Sequence, residues 1–158
     1  MNNKGFTLIE LLAVIILLSL VMSITAVSAV NIINSSKNKS YELLVKNIKI
    51  GAQEYFEECE NKGVINSDID CDIDNDGDDD ALSGSMTFTL GSLLKYGFLT
   101  SSDSESNKIE NPKSNGNIKD CSITIHKNLD PTNNVTYEIT NNSVSNTDCP
   151  TTDNFNDF

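Results

Sequence analysis

The chain has 158 residues, room for about one domain and an extra element. Its 11 basic residues, all lysine, stand against 23 acidic ones. The net charge of −12 argues against a general nucleic-acid-binding surface, because phosphate binding needs basic density. The first predicted element is an apolar segment from Phe6 to about Val30. Between Leu11 and Val30 its only polar side chains are Ser19, Ser23, Thr25 and Ser28. A helix needs about 20 apolar residues to cross a bilayer, and this run is long enough. It is longer than the apolar part of a signal peptide and shows no small-residue cleavage site at its end, so it reads as a retained anchor. Lys4 is the only charge before it, which suits a cytoplasmic start.

One residue does not fit an anchor. Glu10 lies inside the apolar run, where a carboxylate costs about 2.5–3.5 kcal/mol on insertion scales. Taken alone it could sit near the interface and snorkel into the headgroups. Its neighbours favour a sharper reading. Lys4-Gly5-Phe6-Thr7-Leu8-Ile9-Glu10 resembles the processing motif of type IV pilins and related pseudopilins. That resemblance implies a prepilin peptidase that cuts between Gly5 and Phe6, removing residues 1–5 as a leader and methylating Phe6. It also implies that Glu10 pairs with the Phe6 ammonium of a neighbouring subunit and sets the register of assembly. Many members of the family carry Gly or Pro inside the apolar half of the helix; this chain has neither between Phe6 and Ile50.

The next element is an amphipathic stalk helix over residues 31–63. Tyr41, Leu44, Ile48, Ala52, Tyr55 and Cys59 recur at three- and four-residue steps, which places them on one face. Lys46, Lys49, Glu54, Glu57, Glu58 and Glu60 fall mostly on the other side. Asn31 to Ser40 is polar enough to bend or fray, and Gly63 suits the C-cap.

Residues 64–158 form the predicted globular head. It begins with an acidic loop, DIDCDIDNDGDDD, over residues 68–80. Such runs are usually solvated loops. Yet Asp72, Asp74, Asp76, Asp78 and Asp80, with Gly77 at the turn, have the alternating spacing that wraps a hard cation such as calcium. Ser83 stands where an EF-hand has its closing Glu, so the pattern is closer to short aspartate-rich calcium loops. Calcium binding and simple solvation both remain open.

FTLGSLLKYGFL, residues 88–99, predicts a strand end, a short helix from Ser92 to Tyr96 and a stop at Gly97. Thr100 to Asn107 reads as an exposed loop. In CSITIHK, Cys121, Ile123 and Ile125 alternate with Ser122, Thr124 and His126, so one face of a strand is buried. VTYEIT alternates again through Val135, Tyr137 and Ile139, and the two strands predict a hairpin. His126 falls on the outer face.

Four cysteines on the exported side suggest disulfides, with three possible connectivities. The preferred pairing joins Cys59 to Cys71, clamping the helix end to the acidic loop. Cys121 with Cys149 then pins the C-terminal tail to the hairpin, as the resemblance implies. No C-x-x-C spacing supports zinc. With one histidine and no glycine-rich phosphate loop, hydrolase and nucleotide-binding readings lack their parts, and the chain reads as no enzyme.

These readings make an α+β protein, a long N-terminal helix packed on a small antiparallel sheet. The resemblance implies a structural subunit in the cytoplasmic membrane that is extracted into an extracellular filament of like subunits. Its partners are then other pilins, the prepilin peptidase and the pilus assembly machinery. The role is adhesion, motility or a related surface function. Two alternatives remain: a pseudopilin of a secretion or competence system, and an anchored calcium-binding adhesive domain that does not polymerise.

Overall fold

The computed structural model describes residues 7–61, 69, 71, 84–101, 107–129, 131–132, 134–143 and 146–156, with the side chains of 24–28 excepted. The fold is α+β. Its elements in chain order are α1 (Leu8–Glu60), β1 (Ser85–Thr89), α2 (Leu90–Lys95), β2 (Ser122–Leu129), β3 (Val135–Asn141) and α3 (Thr152–Asn156). The chain divides into two compact units, residues 1–39 and 40–158.

In the first unit α1 is helical without interruption from Leu8 onward, and it does not fray across Asn31–Ser40 as the polarity there predicts. The absence of Gly and Pro explains this, because Ser, Asn and Lys each weaken a helix by well under ~1 kcal/mol. Ser19 donates to the Ile16 carbonyl at 2.7 Å and Ser23 to the Ser19 carbonyl at 2.8 Å. Both hydroxyls are thereby satisfied within the helix.

In the second unit the strands form one antiparallel sheet in the order β1-β2-β3. Phe88 pairs with Ile123, and Ile125 pairs with both Met86 and Ile139. Residues 40–60 of α1 bring Tyr41, Val45, Ile48, Ala52, Tyr55, Phe56 and Cys59 into the core, all buried. The predicted face is correct except that Leu44 is only partly buried; Val45 and Phe56 widen it. Tyr55 is the hub of the packing. Its ring meets Phe88 edge-on at 5.0 Å, stacks with Tyr96 at 5.7 Å and touches Phe98 at 5.4 Å between centroids. Such aromatic pairs each add about 0.5–1.5 kcal/mol beyond the area they bury.

Three local predictions need correction. The short helix begins at Leu90, not Ser92, because the Leu90 and Gly91 amides bond to the Cys121 and Lys119 carbonyls as the chain leaves β1. Gly97, at φ +84°, ends the turn that follows it. Glu58 is buried at 6% exposure rather than lying on the outer side. Thr124, which alternation places outside, is also buried. Thr87 and Asn142 cover it, at 2.6 and 2.5 Å from its hydroxyl. Gly63 and the central part of the Thr100–Asn107 loop lie outside the described residues. The observed end of α1 is held by Asn61, whose backbone and side-chain amides both donate to the Glu57 carbonyl.

Candidate assembly site at the start of α1

Glu10 occupies the third helical position of α1, and Thr7 is the residue just before the helix. The Thr7 backbone N–H and hydroxyl both donate to Glu10 Oε2 at 2.8 Å. The Glu10 amide faces the Thr7 hydroxyl in return, at 3.4 Å. This is a capping box, in which the cap and the third residue satisfy each other's exposed amides. The resemblance implies a partner for Glu10 in another subunit; Thr7 is a further partner in its own chain. The signal was present in Thr7-Leu8-Ile9-Glu10, a threonine followed three residues later by a glutamate ahead of an apolar run.

Both bonds fall on Oε2. Among the described residues Oε1 accepts none, so half of the carboxylate stays open. Gly5 and Phe6 lie outside the described residues.

Beyond the cap, the large apolar side chains from Leu8 to Met22 are exposed in a single copy, from 48% at Leu12 to 85% at Leu8. They lie on every side of the helix, the pattern of an element that buries itself in lipid or among other helices. Among the described residues no helix is long and apolar enough to cross a membrane.

At its other end α1 is tied down by its charged residues. Lys127 pairs with Glu60 at 2.5 Å, and the Tyr137 hydroxyl donates to Glu57 at 2.9 Å. Partial burial, then the Glu57 bond and the charges of Glu57 and Glu60, push the Tyr137 phenol up to about 12. Next to them Cys59 is bonded to Cys71, so Cys71 is fastened to the helix end. Cys121 is bonded to Cys149, which fastens the C-terminal segment to the start of β2. Asp72, Asp74, Asp76, Asp78 and Asp80 lie outside the described residues. Among the described residues no three His, Cys, Asp or Glu side chains gather in a way that could hold a metal ion. His126 sits on the outer face beside Glu138 and Ser85 in the sheet register.

The C-terminal segment docks on the second unit's portion of α1. The Tyr41 hydroxyl donates to Asn154 Oδ1 at 2.8 Å, Lys49 donates to the Phe155 carbonyl at 3.0 Å, and the Phe155 ring is wholly buried.

Residues 1–26 match the family model described as the prokaryotic N-terminal methylation motif, the hallmark of type IV pilin and pseudopilin precursors. It is a motif of structural subunits rather than of enzymes. No curated protein and no solved structure matches the chain.

Proposed function

We propose that this chain is a structural subunit of a type IV pilus-like filament, cut between Gly5 and Phe6, methylated on Phe6, and assembled through the apolar part of α1. The observation that carries the reading is the methylation motif over residues 1–26, continued by an uninterrupted helix whose apolar side chains surround it. In this reading the precursor is held in the cytoplasmic membrane by residues 6–30 and passes to an extracellular filament with other pilins and the assembly machinery. The acidic second unit, latched by two disulfides, faces outward and serves adhesion or motility.

Glu10 has two tasks here. Its Oε2 caps α1, and its open Oε1 accepts the Phe6 ammonium of an incoming subunit. Each charge is costly alone in an apolar setting, and pairing neutralises both. Removing one partner of such a buried pair generally costs 3–5 kcal/mol.

Mass spectrometry of the native N-terminus tests the proposal. A chain that begins at N-methylated Phe6 supports it; a chain that keeps residues 1–5 in the mature cell-surface fraction overturns it. A pseudopilin of a secretion or competence system shares the same motif, and imaging of labelled chain at the cell surface separates long filaments from that alternative.

A further inference from the structure

The turn from Asn111 to Gly116 is a junction of the second unit. It is closed by the Asn115 amide on the Asn111 carbonyl at 2.7 Å and the Asn111 amide on the Gly116 carbonyl at 2.9 Å. Asn111 is buried at 5% exposure, and its side-chain amide donates to the Asp148 carbonyl at 2.7 Å. Asp148 adjoins Cys149, so the turn holds the segment that the second disulfide fastens. Lys113 lies over the Tyr41 ring at 4.0 Å, and the Tyr41 hydroxyl reaches Asn154. One turn thus steadies both ends of the C-terminal segment.

The turn also contains the chain's single Asn-Gly pair, Asn115-Gly116. Asn115 is exposed, has φ +60°, and its side-chain amide makes no hydrogen bond among the described residues. Gly116 has no side chain to shield its nitrogen, and the bond from that nitrogen to Ser114 Oγ is long, at 3.2 Å. The described Asn-Ser pairs are better protected. Asn34-Ser35 lies within α1, where the backbone amides are bonded, and the Asn142 side chain is held on the Thr124 hydroxyl.

We propose that Asn115 is a site of spontaneous modification, converting to isoaspartate and thereby releasing the C-terminal segment. The Gly116 nitrogen gives up its proton to solvent base and attacks Asn115 Cγ. A nitrogen–carbon bond forms, the Cγ–Nδ2 bond breaks, and ammonia leaves. Water then opens the cyclic imide. Opening at the Asn115 main-chain carbonyl leaves the backbone running through the side chain, one carbon longer; opening at Cγ leaves ordinary aspartate. The longer backbone cannot keep both closing bonds of the turn. The new charge also arises on the residue next to Gly116, against which the Asp148 carboxylate packs so closely that a Cβ there would overlap it. Asparagine is among the thermolabile residues depleted from proteins adapted to heat, so this site ages with the protein.

The test ages the full chain in mild detergent at neutral and at mildly alkaline pH. Peptide mapping follows ammonia loss at every asparagine, isoaspartate is detected by enzymatic methyl transfer, and limited proteolysis follows residues 149–156. Asn115 should convert before any other described asparagine, faster at the higher pH. Cleavage within the C-terminal segment should rise in step with the converted fraction. Asn115→Gln should stay unconverted and keep the segment protected over the same period. If Asn115 persists while other described asparagines convert, the site is wrong. If it converts and the segment stays protected, the coupling is wrong.

Discussion

Thr7 and Glu10 hold each other at the start of α1: two donors of Thr7 meet one carboxylate oxygen of Glu10 at 2.8 Å, and the second oxygen is left open. Cap and charge can therefore be separated by mutation. Gln serves in a capping box about as Glu does, so Glu10→Gln keeps the cap and removes only the charge. Membrane levels and processing should stay normal, because a neutral side chain enters lipid more readily and the cut precedes this position. Sheared filaments should be scarce. Glu10→Ala should lose the filaments and also weaken the start of the helix, because the cap goes with the charge. Mature chain is measured in membranes and in filaments separately. A Glu10→Gln chain that polymerises like the parent, with no unmutated copy present, would show that the charge is dispensable.

Processing depends on the residue before the cut. Gly5→Val places a branched side chain where the peptidase must approach the backbone. The leader should be retained and the chain should be missing from filaments. Mature protein of normal length from this variant contradicts the proposed cleavage site.

Gly51 lies on α1 against the turn that follows α2. A Cβ at this position would stand 2.5 Å from the Phe98 carbonyl oxygen, a backbone atom that cannot swing aside. Alanine gains about 1 kcal/mol of helix propensity over glycine. Overpacking typically costs 1–3 kcal/mol. With backbone on the other side of the contact, the clash should win. Gly51→Ala is expected to destabilise the second unit by about 1 kcal/mol and to lower its melting temperature by several degrees. Thermal unfolding of the full chain in detergent reads the sign directly.

Tyr137 supplies an alkaline signature. Its phenol is raised from 10.0 to about 12 in the folded chain, chiefly by burial and then by Glu57. The folded state therefore holds this proton more tightly than the unfolded state. The corresponding stability is complete below pH 10 and is lost as pH rises toward 12. Tyr137→Phe should flatten that part of the stability curve. Parallel curves for parent and variant between those limits argue against the Tyr137–Glu57 bond.

Cys71, within the acidic run, is bonded to Cys59 of α1. If Asp72, Asp74 and Asp76 hold calcium, a hundredfold excess over the dissociation constant should stabilise the fold by about 2.7 kcal/mol. The triple Asp→Asn variant should not respond. Equal melting shifts in both proteins, or none in either, return the loop to a solvated role.

Elements whose signal is local are legible in the residues alone. The apolar run with Glu10, the three- and four-residue spacing of Tyr41, Ile48, Tyr55 and Cys59, and the alternation in SITIH and VTYEIT each follow from a helix or strand period. The methylation motif is likewise a linear pattern, so it can be read without a fold. Tertiary structure decided what depends on neighbours distant in the chain. Thr124 is buried because Asn142, eighteen residues on, closes over its hydroxyl. Phe155 is core because the Cys121–Cys149 bond and the Asn111–Asp148 contact bring the C-terminal segment back to Tyr41 and Lys49. Periodicity reports which face of an element is apolar. It carries no information about which other segment arrives to cover a polar residue, because that depends on how the loops return the chain.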